Sequence, residues 1–314
     1  MKSIADAPGK VILAGEHFVV WGSTALAAAI DMRVRATAEL ADEDEIMSEN
    51  YGTSSKLSSG VAKGLYPIAK TIYATKNYIG SRKKVRVAIK SYIPSASGLG
   101  SSSAVAVSTV ASIAGALDAK LTEKEIFDLA LISEKIVHGN PSGIDVAVAV
   151  YGGVLLFRKG EQPREVKVNV PFEIVVGLSG LSRKTARMIN RVAETRRNLP
   201  NFFNALVVSS SHLSMMASKS LAEGNLDNIA SIMSFHNSSL SWLGLATQQT
   251  DRMIETCLGS GALAAKVTGG GGGGAVVALP KQGKAEDILN ALKSKNFEAF
   301  AVKLPQQGMK TWKE

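Results

Sequence analysis

Apolar and polar positions alternate with a period of two in several segments, which predicts half-buried β-strands. The alternation is clearest at 33–40 and 84–91, and residues 25–48 as a whole are expected to hold two or three strands. Other apolar runs are interpreted as strands as well: 5–14, 154–157, 173–178, a run ending at 268, 276–279 and 297–304. These strands are spread along the whole chain, so they must be interleaved with the helices.

Apolar spacing near 3.6 predicts the helices. We expect a helix over 56–76, kinked or broken at Pro67, and a buried helix over 104–117 made of small apolar residues. Thr122 and Glu125 form a capping box that opens a third helix, which ends at Gly139. Further helices are expected at 285–292, after 185, and as two or three segments between 202 and 257, whereas the polar stretch 50–55 is interpreted as a loop.

The length of 314 residues predicts one large or two medium domains. The stretch 159–171 is charged and contains two prolines, so we place the boundary there, with domains at 1–165 and 166–314. A hydrophobic content of 46% and a charged content of 20% are typical of a soluble globular protein. No apolar run reaches the roughly 18 residues that a membrane span needs, and the first residues lack the apolar core of a secretory signal.

Net charge and cysteine content narrow the function classes. The net charge is +9, but aromatic residues make up only 6% of the chain and no RNA-stacking motif is present, so a solvated basic surface is favoured over nucleic-acid binding. A basic field would also attract ATP and an acidic substrate. The single cysteine, Cys257, excludes an internal disulfide and fits a reducing cytoplasm.

A glycine- and serine-rich turn lies between the strand at 84–91 and the helix at 104–117. Its sequence, PSASGLGSSSA, covers residues 94–104. Glycine allows backbone N–H groups to converge on an anion, and the helix N-terminus adds partial positive charge. No Lys-Ser/Thr follows the glycines, as a Walker A loop requires, and the third glycine of a Rossmann fingerprint is missing. The turn therefore predicts a phosphate cradle of another type.

Two further runs combine with this turn. APGKVILAGEHFVVWG (7–22) contains Lys10, Glu16 and His17, and HGNPSGID (138–145) presents Asp145 after a turn. Taken singly, Lys10 would be a surface charge and His17 a structural histidine, and Asp145 could simply cap a helix. Taken together, the three runs resemble those of the GHMP small-molecule kinase superfamily, and the HxVV ending points to its mevalonate branch.

The resemblance implies an α+β GHMP kinase fold in two halves. The N-terminal half would be similar to ribosomal protein S5 domain 2, and the C-terminal half would be ferredoxin-like with extra helices, with the active site between them. The implied reaction transfers a phosphoryl group from ATP to mevalonate with Mg²⁺ as cofactor. A homodimer is also implied by the resemblance, while the composition and the cysteine content predict a cytoplasmic protein with no nucleic-acid or membrane partner.

The resemblance assigns roles residue by residue. Asp145 is the implied base or orienting group for the acceptor hydroxyl, and Lys10 is its ion-pair partner, which would favour the ionised carboxylate. Glu16, His17 and Thr185 are implied to bind mevalonate, and Ser102 and Glu134 to hold Mg²⁺. The implied nucleotide-binding residues are Pro94, Ser97, Gly98, Leu99, Gly100, Ser101, Ser102, Ser103, Gly270 and Gly271.

Three positions carry an alternative or a departure from the family pattern. Glu134 lies on a helix, where an exposed partner of a neighbouring lysine would be the ordinary role of a glutamate. The six glycines at 269–274 could be a linker, but the strands close on both sides favour a loop that packs beside the cradle. Phe18 replaces a small residue after His17, which bears on the choice of substrate.

Other functions compete with the one implied. A phosphomevalonate kinase is expected to lack the pair of HGNPSGID and GEHxVVxG, and a homoserine kinase is expected to lack the catalytic carboxylate. A basic nucleotide- or nucleic-acid-binding protein without catalysis is the alternative from another class. The joint presence of Lys10, Glu134 and Asp145 argues against it.

Overall fold

The computed structural model describes residues 1–169, 171–181 and 185–314. The first of its two sheets has eight strands, in the order β12-β1-β2-β5-β3-β4, with β6 paired to β2 and β7 paired to β6. These strands are β1 (Ser3–Ala14), β2 (Thr24–Ala41), β3 (Glu45–Ser48), β4 (Thr53–Lys56), β5 (Lys84–Ser91), β6 (Val154–Arg158), β7 (Arg164–Glu165) and β12 (Lys310–Lys313). Only β3 and β5 pair in parallel, and the other described pairings of this sheet are antiparallel.

Four helices accompany the first sheet: α1 (Tyr66–Ile79), α2 (Ser101–Ala116), α3 (Glu123–His138) and α4 (Ile144–Tyr151). Helix α2 packs on β1 and β2 and is flanked by the other three helices. It is rich in alanine, valine and serine, and Val107, Val110 and Ile113 are fully buried. Small side chains allow this helix to be enclosed on nearly all sides, which fixes its N-terminus against β1.

The second sheet has the antiparallel order β11-β8-β10-β9. Its strands are β8 (Phe172–Leu178), β9 (Ala262–Thr268), β10 (Ala275–Pro280) and β11 (Glu298–Leu304). The helices are α5 (Thr185–Asn198), α6 (Pro200–Glu223), α7 (Leu226–Trp242), α8 (Gln248–Gly259) and α9 (Ala285–Ser294). This strand order and the β-α-β-β-α-β succession are ferredoxin-like, with additional helices between β8 and β9. The proposed domain boundary falls between β7 and β8.

Most of the predicted elements are confirmed, including the α+β class. Strand β5 has the predicted bounds, and α2 begins three residues before the predicted helix. The capping box of α3 is formed, with Thr122 accepting from the Glu125 N–H. The helices predicted between 202 and 257 are α6, α7 and α8, separated near Gly224 and Gly244 as expected.

Two predictions about local structure were wrong, and the short strands β7 and β12 were missed. The stretch 50–55 is not wholly a loop, because Thr53 begins β4, which pairs with β3 at a polar, exposed edge without apolar alternation. The helix predicted over 56–76 begins only at Tyr66, and Pro67 lies in its first turn. A proline there has no hydrogen bond to lose, so α1 continues to Ile79.

Strand β12 was not predicted. Its backbone pairing with β1 holds a short and largely exposed segment in place.

None of the helices in the described ranges is long and apolar enough to cross a membrane.

Candidate active site

A cleft of about 340 Å³ lies where the first sheet and its helices meet the glycine loop of the second sheet. Its walls come from β1, the turn after β1, the loop before α2, the end of α3, the loop before α4 and the start of the glycine loop. The residues that line it include Lys10, Ile12, Glu16, His17, Ser97, Gly98, Gly100, Ser101, Ser102, Glu134, Asn140, Asp145, Gly269 and Gly270. The three sequence runs therefore converge in space.

Lys10 and Asp145 form an ion pair in this cleft. The Lys10 Nζ lies 3.3 Å from the Asp145 Oδ1 and donates a hydrogen bond of 2.9 Å to the Gly98 carbonyl. The lysine side chain is 3% exposed and that of Asp145 is 30% exposed, so the carboxylate is the accessible partner. Asp145 does not cap its helix, because Gly143 is the N-cap and Asp145 lies in the first turn of α4. The capping alternative is thereby excluded.

The glycine-serine loop rests directly on β1. The Lys10 N–H donates to the Leu99 carbonyl at 2.8 Å, and a Cβ on Gly9 would lie only 2.7 Å from the same oxygen. Gly100 is the N-cap of α2 with φ of 80°, a left-handed conformation that favours glycine. No described side chain caps α2. The N–H groups of its first turn therefore lie at the cleft without a side-chain partner in the described ranges, and such a helix N-terminus is suited to bind an anion.

Ser102 and Glu134 meet at the neighbouring wall. The Ser102 Oγ donates a hydrogen bond of 2.6 Å to the Glu134 Oε1. Glu134 is 3% exposed, so the ordinary role of an exposed helical glutamate does not apply. A hydroxyl and a carboxylate brought this close present two hard oxygen donors of the kind that Mg²⁺ prefers.

A buried polar cluster supports the turn after β1. Glu16 forms an ion pair with Lys266 of β9, and both side chains are fully buried. Burial raises the pKa of Glu16 and lowers that of Lys266, and their pairing opposes both shifts. The Gly15 N–H donates to His236 Nδ1 at 3.4 Å. Burial and the Lys266 charge lower the pKa of His236 to about 3, so this imidazole is neutral at physiological pH.

The remaining substrate-site predictions have different outcomes. His17 lines the cleft, and its Nε2 lies 3.0 Å from the Gly270 carbonyl. Phe18 turns away into the core of the second sheet, where its ring packs 5.9 Å from that of Phe203. Its bulk therefore does not narrow the cleft. Thr185 begins α5, and its side chain lies outside what the structure describes.

Some described residues predicted to bind nucleotide lie behind the cleft wall. Leu99 and Ser103 are fully buried, and the Pro94 carbonyl accepts a hydrogen bond of 2.7 Å from the Ser97 hydroxyl. Gly271 packs against the Leu245 backbone, where a Cβ would lie 2.7 Å from its carbonyl oxygen. These four positions support the loops, and their contact with nucleotide stays a prediction.

Sequence reasoning missed the residues that hold the cleft from behind. Lys266, Thr268 and His236 were not singled out as candidates. For Lys266 a signal existed, since a lysine inside an otherwise apolar strand is seldom buried without a charged partner. Asn140, Pro141 and Ser142 also line the cleft. They belong to a run that was recognised, but only its aspartate was given a role.

Comparison with known proteins identifies two family regions. Residues 66–153 match the GHMP kinases N terminal domain, and residues 217–299 match the GHMP kinases C terminal domain. The mevalonate kinase of Aeropyrum pernix is 31% identical over 97% of this chain and 96% of its own length. The mevalonate kinase of Archaeoglobus fulgidus is 35% identical over 90% of this chain and 93% of its own. The structure of L. major mevalonate kinase in complex with R-mevalonate matches with a TM-score of 0.80, at 25% identity over 96% of both chains.

Proposed function

This chain belongs to the mevalonate kinase family of GHMP kinases, and on that premise we propose that it transfers the γ-phosphoryl group of ATP to the 5-hydroxyl of mevalonate. The observation that carries the proposal is the Lys10–Asp145 pair at 3.3 Å, in a cleft that also contains the glycine-serine loop. Phosphoryl transfer needs a group that orients the acceptor hydroxyl and a site that binds the phosphates, and a carboxylate and an anion cradle provide these two functions.

The glycine-serine loop would bind the phosphates of ATP. Gly98, Gly100, Ser101 and Ser102 line the cleft next to the N-terminus of α2. Backbone N–H groups and the helix dipole stabilise negative charge there. The Lys10 ammonium lies beside the Gly98 carbonyl, so it adds a full positive charge where a transferred phosphoryl group would carry its negative charge.

Asp145 would orient the acceptor hydroxyl and accept its proton. Its partly exposed carboxylate is open to the cleft, while Lys10 holds it from the buried side. The positive charge of Lys10 lies 3.3 Å from the carboxylate and fixes its position before the transfer. A positioned base of this type typically accelerates a reaction by roughly 100- to 10,000-fold.

Ser102 and Glu134 fit a magnesium site, and we propose that they hold Mg²⁺ with ATP. The fit rests on the 2.6 Å separation of two oxygens in the cleft wall. No group of three or more His, Cys, Asp or Glu side chains suited to a metal occurs among the described residues, so few protein ligands would be involved. That pattern suits Mg²⁺, which usually keeps waters and phosphate oxygens as ligands. When bound, the ion would neutralise charge on the phosphates.

Glu16, His17 and Thr185 are proposed to bind mevalonate. Glu16 and His17 follow Gly15 in the turn after β1 and line the same cleft as Asp145. His17 has a positive φ of 59°, an unusual conformation for a residue with a side chain. The contact of its ring with the Gly270 carbonyl ties it to the second glycine loop.

A coupled assay with ATP and Mg²⁺ tests the function. The panel contains mevalonate, phosphomevalonate, homoserine and galactose as acceptors, and we expect turnover with mevalonate alone. Turnover with phosphomevalonate instead would move the chain to another branch of the GHMP kinases. ATP hydrolysis that no acceptor stimulates would contradict the proposal.

We also propose a cytoplasmic homodimer with domains at 1–165 and 166–314, the second of which returns β12 to the first sheet. The dimer is proposed from the family resemblance alone, and the lone buried Cys257 is compatible with a reducing compartment. Sedimentation equilibrium would measure the mass of the assembly, and a monomer at micromolar concentration would contradict the dimer.

A further inference from the structure

Lys266 is a buried cation that none of the proposed steps uses. It belongs to β9, and its side chain is fully buried. Its Nζ donates to the Glu16 Oε1, to the Ile12 carbonyl at 3.3 Å and to the Val267 carbonyl at 2.8 Å. An ammonium has three N–H donors, so these three acceptors use its full capacity. The group is therefore fixed in position.

The Glu16 carboxylate has only one of its two oxygens satisfied in this way. Among the described residues, no side chain or backbone group forms a hydrogen bond with its Oε2, although that atom is buried. Glu16 also lines the cleft. A buried acceptor without a partner costs free energy, and a hydroxyl donor that enters the cleft would remove that cost.

The same lysine also holds the strand that carries Lys10. The Ile12 carbonyl accepts from Lys266, and the Ile12 N–H donates to Thr268 of β9 at 2.9 Å. Ile12 follows Lys10 by two residues, so both side chains point to the same face of β1, and both line the cleft. The Lys10 strand keeps its bond to Thr268 and its pairing with β2 when Lys266 is removed, so the displacement should be confined to the Glu16 turn.

We propose that Lys266 is a positioning residue, which fixes one oxygen of Glu16 so that the other accepts a hydrogen bond from a hydroxyl of the phosphoryl acceptor. The identity of that acceptor rests on the proposed function. The lysine contacts no substrate itself. Its effect on acceptor binding passes through Glu16, whereas its effect on ATP binding should be absent because the anion cradle lies on another loop.

The variant Lys266→Met tests this arrangement, since methionine keeps an unbranched apolar stem and removes the charge. We expect the KM for mevalonate to rise roughly 10- to 100-fold, as for loss of a hydrogen bond to a charged group, while the KM for ATP stays unchanged. Glu16→Gln should have a similar effect. The double variant Glu16→Gln/Lys266→Met should be no worse than Glu16→Gln alone, because the lysine would act only through Glu16.

Lys76→Met is the matched control. Lys76 pairs with Asp44 at 2.6 Å, and the two side chains are 8% and 5% exposed, but neither residue lines the cleft. This variant makes the same chemical change at another buried pair. It should lower stability without changing the ratio of the two KM values. Glu16→Gln/Lys266→Met removes both charges of the buried pair and so leaves no unpaired charge. If Lys266→Met alone does not fold, this double variant is compared with Glu16→Gln instead.

Hydrogen exchange separates this inference from the proposed function. Exchange at the amides of residues 12–17 should become faster in Lys266→Met, but not in Lys76→Met. Equal rises in both KM values, additive effects with Glu16→Gln, or unchanged exchange at 12–17 would each overturn the positioning role. If the wild-type enzyme does not phosphorylate mevalonate, the proposed function is wrong, and the exchange comparison still decides whether Lys266 fixes this turn.

Discussion

Two lysine–carboxylate pairs lie at the same cleft in opposite environments. Lys10 and Asp145 are 3.3 Å apart, with the carboxylate 30% exposed, whereas the side chains of Lys266 and Glu16 are both fully buried. The Lys10–Asp145 pair, the open pair, can contact a substrate and exchange a proton with it. The Lys266–Glu16 pair, the closed pair, is shielded from bulk solvent, and its attraction in a low-dielectric site holds the surrounding backbone in place.

This difference indicates that the open pair takes part in the reaction and that the closed pair positions other residues. The Asp145 carboxylate stands in the first turn of a short helix beside the cleft, so its removal should change turnover more than stability. Lys266 joins strands of the two sheets, so its removal leaves a buried charge unpaired and should change stability more than the chemical step. The following predictions test this division in order of expected effect.

The largest effect is expected for Asp145→Asn. The amide keeps the shape but cannot accept the proton, so kcat should fall by roughly 100- to 10,000-fold. ATP binding should change little, and the melting temperature should fall only modestly, because the buried Lys10 keeps its hydrogen bond to the Gly98 carbonyl. Steady-state kinetics and thermal unfolding measure the two quantities.

The control for that variant is Asp128→Asn, which removes an exposed carboxylate that pairs with Lys124 at 2.7 Å on α3. It should leave both quantities unchanged. Near-normal turnover of Asp145→Asn would show that Asp145 is not the base, and the open pair would then have no chemical role.

The second effect concerns stability and compares the two lysines. Lys266→Met should lower the free energy of unfolding by about 3 to 5 kcal/mol, the usual result of removing one partner of a buried ion pair. Lys10→Met should lower it less, because the remaining Asp145 carboxylate is partly hydrated. Urea unfolding of both variants measures the difference, and equal losses would remove the contrast between the pairs.

The third effect is a pH dependence at His236, whose pKa is lowered by burial and by the charge of Lys266. His236 has a folded-state pKa of about 3 against an ordinary value of 6.5, so the unfolded chain binds a proton more readily than the folded one. Stability from this group is fully present above pH 6.5 and is lost progressively as the pH falls towards 3, by about 1.4 kcal/mol per pH unit.

Replacement of His236 should flatten that slope between about pH 6.5 and 5, a window chosen above the range of most carboxylates. In His236→Asn the amide oxygen can still accept from the Gly15 N–H. His212→Asn, at an exposed histidine on α6, is the matched control and should leave the slope as it is in the wild type. An unchanged slope in His236→Asn would mean that this histidine does not titrate as described.

The smallest effect is expected for Ser102→Ala. Loss of one hydroxyl ligand should raise the KM for Mg-ATP by roughly tenfold and leave the KM for mevalonate nearly unchanged. Ser108→Ala, a buried serine further along α2 that bonds the Val105 carbonyl, controls for the change in helix packing. Equal effects of Ser102→Ala on both KM values would contradict the metal role. Ser102 would then be assigned to the positioning of the acceptor, together with the closed pair.

Much of the fold and of the site could be predicted from local patterns. The alternation of Val85, Val87 and Ile89 indicated β5, and the Thr122–Glu125 capping box indicated the start of α3. The errors also have local causes. A proline kinks or breaks the interior of a helix but not its first turn, and the pattern around Pro67 does not show where α1 begins.

The sequence alone determined most of the elements, and it indicated the chemistry through three runs whose glycine, serine, lysine and carboxylate content suits phosphoryl transfer. Tertiary structure decided which of those residues meet, which lie behind the cleft wall, and that Lys266 pairs with Glu16 across 250 positions of the chain. The physical reason is that periodicity and capping depend on neighbours a few residues away. Burial and ion pairing depend instead on how two sheets pack, which no short stretch of sequence contains.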